Sequence, residues 1–164
     1  MIFISDTSAL TNFAAIQHLH LLPQLYDQVT IPSDVYRELA DIVPPVPGTV
    51  EVQTVTPLEV KQVVGRNLVE RLQNETRLDP GESFAIAQTF ELGADLLLID
   101  ERRGRAEANR LGLRITGVLG ILVEAKHRNL VVAVKPLMDA LIATSQFRVS
   151  SNLYTQILAI VDEA

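Results

Sequence analysis

Short unbroken apolar runs alternate with amphipathic stretches of helical period along this chain. The first run, Ile2–Ser5, and the strongest, within 94–99 and centred on Leu96-Leu97-Leu98-Ile99, are continuous rather than alternating. That is the pattern of strands covered on both faces. Gln28–Ile31 is β-branched and reads as a second strand, 52–55 as a third and 113–115 as a fifth. Between them lie helical patterns. Leu10, Phe13 and Ala14 follow Asp6-Thr7-Ser8 at helical spacing, and 18–26 reads as a short helix disturbed by Pro23. Pro32-Ser33-Asp34 opens a helix that carries Val35, Glu38 and Leu39. A loop rich in proline (Pro44, Pro45, Pro47) follows. In 58–77, Val60, Val63, Val64, Leu68, Val69 and Leu72 are spaced as one helical face. Asp79-Pro80-Gly81-Glu82 starts a helix that Gly93 stops, and further helices are expected over 102–111, 118–127, 136–143 and 151–161.

Strands alternating with helices imply crossover connections and a mainly parallel sheet. The expected fold class is α/β with helices on both faces. No internal linker divides the chain, so 1–164 is expected to form a single domain. Its C-terminal helices, 136–163, are apolar along Leu153, Ile157, Ile160 and Val161, and either pack on the domain or form a dimer surface.

Composition narrows the class. A chain of 164 residues with 48% apolar and 21% charged residues supports a real core and excludes disorder. Without cysteine there are neither disulfides nor thiolate metal sites. The first ten residues lack a basic segment and a small-residue cleavage site, and no apolar run approaches the ~20 residues of a membrane span. The expectation is a soluble, cytoplasmic protein with no membrane association. A net charge of −6 argues against a general nucleic-acid coat protein but is compatible with a nuclease whose acids hold metal. The three histidines, His18, His20 and His127, are scattered and read as surface positions.

The candidate chemistry lies in the acids. Asp6 and Asp100 end the two apolar strands, and a carboxylate at the end of a core strand is costly unless something positive meets it. In open α/β sheets, sites form at the carboxyl ends of the strands. Each acid also has a plain structural reading. Asp6 is a good N-cap; in the functional reading it is a metal ligand, with the Ser8 hydroxyl or a nearby backbone amide completing the site and Ser8 a candidate substrate contact. Glu38 can be a surface residue of its helix, beside Arg37 as a charge partner or phosphate contact. Asp79 and Glu82 fit a capping box. Asp100 and Glu101 are neighbours at a strand-to-helix turn, where one faces the site and the other caps the helix; the sequence leaves open which. Asp95, at the other end of its strand, is expected to lie far away. A set of oxygen ligands without histidine or cysteine suits Mg²⁺ or Mn²⁺. Two such ions about 4 Å apart activate water and stabilise the leaving oxygen in phosphodiester hydrolysis.

The run Asp6-Thr7-Ser8-Ala9-Leu10 after the first strand, Glu38-Leu39, Glu82 opening a helix and 96–101 resemble the acidic motifs of PIN-domain proteins. Residues 96–122 look closest to a prokaryotic branch of predicted nucleic-acid-binding proteins. The resemblance implies a three-layer α/β/α sandwich and a Mg²⁺- or Mn²⁺-dependent ribonuclease acting on single-stranded or structured RNA, similar to VapC-type toxins. Such relatives are often homodimers inhibited by a small antitoxin protein. Carried over by motif, Asp6, Glu38, Glu82 and Asp100 are the catalytic metal ligands, with Glu101 as an alternative for the last. One departure is the missing threonine before the fourth acidic position. It leaves as the alternative a catalytically inactive PIN-like module that binds nucleic acid or protein. A receiver-like phosphoryl-transfer protein is disfavoured, because its later Thr/Ser and Lys arrangement is not found.

Arg102, Arg103 and Arg105 follow the Asp100 turn. They are either a solvated helix face, with Arg105 pairing with Glu101 one turn earlier, or a phosphate clamp beside the metals. Aromatic residues make up only 5% of the chain, so backbone contacts are expected to outweigh extensive base stacking.

Overall fold

A five-stranded, wholly parallel sheet forms the centre of the molecule, in the order β3-β2-β1-β4-β5. The structure, a computed structural model, describes residues 1–41, 43–45, 48–54 and 58–164. β1 (Ile2–Ser5) leads into α1 (Thr7–Ala15) and α2 (Leu21–Leu25); β2 (Gln28–Pro32) leads into α3 (Ser33–Ala40) and the single turn α4 (Glu51–Thr54). β3 (Leu58–Lys61) precedes α5 (Arg66–Glu75) and α6 (Pro80–Leu92); β4 (Leu96–Leu98) precedes α7 (Arg102–Arg110). β5 (Ile115–Thr116) is followed by α8 (Val118–His127), α9 (Lys135–Thr144) and α10 (Ser151–Ile160).

Side chains that alternate across the pleat divide the core into two layers. Phe3, Val29, Ile31 and Leu98 pack with α1, α2, α8, α9 and α10, and Phe3 stacks on Tyr26 with ring centroids 4.1 Å apart. Ile4, Leu97 and Ile99 face the other way, against Leu72, Ile86 and Ala108. Both faces are therefore covered, which explains why the central strands read as continuous apolar runs. α10 is part of the first layer: Ile157 and Val161 are buried there beside Met138 and Leu141. Glu163 secures the C-terminal end, accepting from the Val134 and Lys135 N–H groups at 2.8 Å each and facing Lys126.

Two local expectations fail together. The segment expected as a third strand, 52–55, is helical up to Thr54, and Val55 lies outside the described residues. The third strand is Leu58–Lys61, inside the stretch expected to be helical, and the helix proper begins only at Arg66. β3 is an edge strand with one neighbour, and its residues are half exposed or exposed. It therefore lacks the apolar alternation of a half-buried strand, while Val60, Val63 and Val64 imitate helical spacing. Its ladder with β2 is reinforced by polar contacts, the Glu59 carboxylate accepting from the Gln28 amide and, at 3.4 Å, from the Thr30 hydroxyl.

The chain builds β1, β2 and β3 outward to one side, then returns to add β4 and β5 on the other. The order reverses between β1 and β4. Such a switch point leaves a crevice beyond the strands' carboxyl ends. Asp6 and Asp100 are the residues that emerge there.

Candidate metal centre

Asp6 is held where β1 turns into α1. Its N–H still donates to the Leu98 carbonyl of β4 at 3.3 Å, while its side chain caps α1, with Oδ1 accepting from the Ala9 N–H at 2.9 Å. The residue is 1% exposed, and its second oxygen, Oδ2, is buried with no hydrogen-bond partner. Burial above all raises its pKa well above the usual carboxylate range; the negative fields of Asp100, Glu82 and Asp79 push the same way, against the Ala9 bond.

Glu82 reaches the crevice from α6. The capping box is present: Asp79 Oδ1 accepts from the Glu82 N–H at 2.8 Å, and Glu82 Oε2 accepts from the Asp79 N–H at 3.3 Å. Only one Glu82 oxygen is used in this way. Oε1 is buried without a partner on a residue 5% exposed, and burial, with Asp79 second, raises the pKa to about 7. The capping and site readings of Glu82 are thus compatible, one oxygen to each.

Asp100 follows β4 and is half buried; both its oxygens accept from the Val118 N–H at the start of α8, at 3.1 and 3.2 Å. Burial raises its pKa to about 6, moderated by the Val118 bond and the Arg105 charge. Glu101 is exposed at the N-cap position of α7 and makes no side-chain capping bond. Glu38 is exposed on α3 and accepts from the Thr7 hydroxyl at 2.9 Å. Asp95 lies at the opposite end of the sheet, accepting from the Ile2 N–H.

Asp6, Glu38, Asp79 and Glu82 line one cleft of about 300 Å³, together with Ser8 and Asn12. Asp100 and Glu101 line an adjoining groove of about 950 Å³, which Ser8 and Asn12 also border. The acids are gathered around one crevice but not around one point. Among the described residues, no three acidic or histidine side chains stand close enough to hold a single ion as placed. The donors nevertheless fit a hard cation of the magnesium class, which binds through one or two carboxylates and keeps several waters. The two orphaned oxygens, Asp6 Oδ2 and Glu82 Oε1, are the strongest sign of that fit. Buried carboxylate oxygens are costly without a partner, and among the described residues nothing meets them.

The arginines divide. Arg102 and Arg103 are exposed on the first turn of α7, and the Arg103 charge acts on Glu82. Arg105 does not pair with Glu101; its guanidinium donates to the Ile99 carbonyl at 2.9 Å and lies beside Asp100. Sequence reasoning missed Thr7 as the partner of Glu38 and Asn12 as a cleft residue. Asn12 stands four residues after Ser8, on the same face of α1, and that spacing was the available signal.

A family model described as DUF3368: PIN domain matches residues 2–163. No curated protein matches the chain. Among the described residues, no helix is long and apolar enough to cross a membrane.

Proposed function

This chain belongs to the PIN-domain family, and from that premise we propose that it is a ribonuclease using Mg²⁺ or Mn²⁺ held by Asp6, Glu38, Glu82 and Asp100. PIN domains are a nuclease fold, generally dependent on divalent metal. The observation that carries the reading for this chain is the pair of buried, partnerless oxygens on Asp6 and Glu82. They belong to different elements, and both reach the switch point of the sheet.

When bound, the ion supplies a polarised water and neutralises charge that develops on the phosphate. The chain's own residues do the rest. Asp6 Oδ1 is committed to capping α1, which fixes the direction of Oδ2. Asp79 does the same for Glu82 by occupying its other oxygen. Thr7 orients Glu38 toward the cleft through its hydroxyl. Arg105, anchored on the Ile99 carbonyl, keeps positive charge beside Asp100 and at the wall of the groove. Arg102 and Arg103, exposed on the same turn, extend that charge toward an approaching phosphate backbone. Glu82, its pKa raised to about 7 chiefly by burial, is only partly ionised near neutrality, and a bound cation displaces the remaining proton.

The deciding experiment is cleavage of a mixed RNA pool with Mn²⁺, with and without chelator, for the native protein and Asp6→Asn. Asparagine keeps an oxygen for the Ala9 N–H but removes the buried charge. Cleavage should fall at least about 100-fold, since even the partners that support metal ligands cost 10–100-fold when removed. The melting temperature in chelator should be unchanged or higher. Retained cleavage in Asp6→Asn removes Asp6 from the mechanism, and chelator-resistant cleavage by the native protein removes the metal.

A further inference from the structure

The larger groove beside the acidic cleft contains more than carboxylates. It extends from Asp100 past Gly117 to the segment 145–148 that joins α9 to α10. Arg105 lines it from α7, and Phe147 and Arg148 line it from the C-terminal segment. Phe147 is half buried, packed against the core. Its N–H returns to the Leu141 carbonyl at 3.4 Å, and Gln146 before it turns the chain with φ 53°. The ring is therefore presented by an anchored turn. Arg148 is exposed and, among the described residues, forms no ion pair or side-chain hydrogen bond, although the chain carries a net charge of −6.

A flat apolar ring and a free guanidinium together complement a flat base and its linking phosphate. We infer that the groove is a subsite for one unpaired nucleotide next to the scissile phosphate, with the base against Phe147. The flanking phosphate lies on Arg148. A base still paired in a duplex has its faces stacked, so it cannot enter. The groove joins the acidic cleft at Ser8 and Asn12, so a strand seated here passes directly to the carboxylates. The subsite rests on the nuclease reading for what that neighbouring cleft does.

The test uses the full chain with Phe147→Leu, which keeps apolar packing but loses the flat ring, Phe147→Ala and Arg148→Ala. Phe90→Leu, on an exposed position of α6, serves as control. Mn²⁺-dependent cleavage is followed for a short RNA strand, its duplex and a DNA strand of the same sequence. Binding of the labelled RNA strand is measured separately by anisotropy in chelator. Phe147→Leu should raise KM about 5- to 100-fold, the range for loss of one stacked base, with a smaller change in kcat. Arg148→Ala should raise KM and lower the salt slope on the strand by about 0.7. Phe90→Leu should match the native protein, and the duplex should be cleaved at least about tenfold more slowly than the strand. Losses shared by RNA and DNA, or confined to RNA, both support the subsite. Native KM and salt slope in the Phe147 and Arg148 variants, or equal cleavage of duplex and strand, overturn it. If the native protein cleaves nothing, weaker strand binding by those variants keeps the subsite and defeats the nuclease reading, while unchanged binding defeats the subsite.

Discussion

Gly104 and Gly117 stand where two of the acidic side chains approach the backbone most closely. A Cβ on Gly117 would lie 2.5 Å from Asp100 Oδ1 and 3.3 Å from the Arg105 guanidinium. The backbone there is extended, with φ −120° and ψ 175°, so an alanine is conformationally acceptable. Gly117→Ala should therefore leave the melting temperature within a few degrees while forcing the Asp100 carboxylate off the Val118 N–H. Cleavage should fall by about tenfold or more, the scale of losing the support of a metal-site group. Gly104→Ala makes a sharper case. Alanine in place of glycine inside an exposed helix gains up to about 1 kcal/mol. Here the new Cβ would meet Ile99 Cδ1 at 2.5 Å and Glu82 Oε1 at 2.6 Å, both buried. The expected result is the opposite sign, a loss of about 1–3 kcal/mol as in other overpacked sites, read from urea unfolding. The places of Asp6 and Asp100 at the strand ends were legible from sequence, because an acid that ends a continuous apolar run is conspicuous. The directions in which Asp100 and Glu101 point were not. Adjacent residues at a turn differ only in direction, and direction is set here by the Val118 N–H, contributed from 18 residues away.

Among the elements, α6 carries the most. It is buried from Gly81 through Thr89 except at Phe84, and contacts α1, α3, α5, α7, β1, β2 and β4. Its N-terminus was readable from Asp79-Pro80-Gly81-Glu82, because a capping box depends on residues within one turn. β3 was not readable, because what makes it a strand is its pairing with β2, Val29 against Leu58 through Pro32 against Lys61. A long-range ladder leaves no local mark when the strand lies at an edge and its outer side chains are solvated. The same distinction separates the cap of α6 from its burial. Asp79→Ala should cost about 1 kcal/mol of stability, the usual value of a lost N-cap, seen as a lower urea midpoint at unchanged slope. It should also lower the Glu82 pKa, because the Asp79 charge is the second contribution to raising it, after burial. An unchanged midpoint would mean that packing alone holds the start of α6.

At the scale of the whole molecule, the crevice ties stability to pH in an unusual direction. Most structural carboxylates have lowered pKa values when folded, and Glu59, Glu107, Asp139 and Glu163 follow that rule here. Their contribution is complete once pH exceeds the ordinary values of 3.8 to 4.5. Asp100 and Glu82 behave in reverse, raised from 3.8 to about 6 and from 4.5 to about 7, with Asp6 raised in the same direction. A group that binds its proton more tightly when folded stabilises the fold below its unfolded pKa and loses that contribution as pH rises through its folded pKa. Each unit of displacement is worth about 1.4 kcal/mol, or about 3–6 °C for a chain of this size. In chelator the melting temperature should therefore fall by several degrees between about pH 5 and pH 7.5, a window the lowered carboxylates do not reach. Protons and cations compete for the same oxygens, so millimolar Mn²⁺ should restore little at the acid end and most at the neutral end. Asp6→Asn should flatten both trends. A melting temperature that climbs with pH in chelator would show the acids already satisfied by the protein itself. A Mn²⁺ shift of equal size at both ends of the range would place the ion away from Asp6 and Glu82.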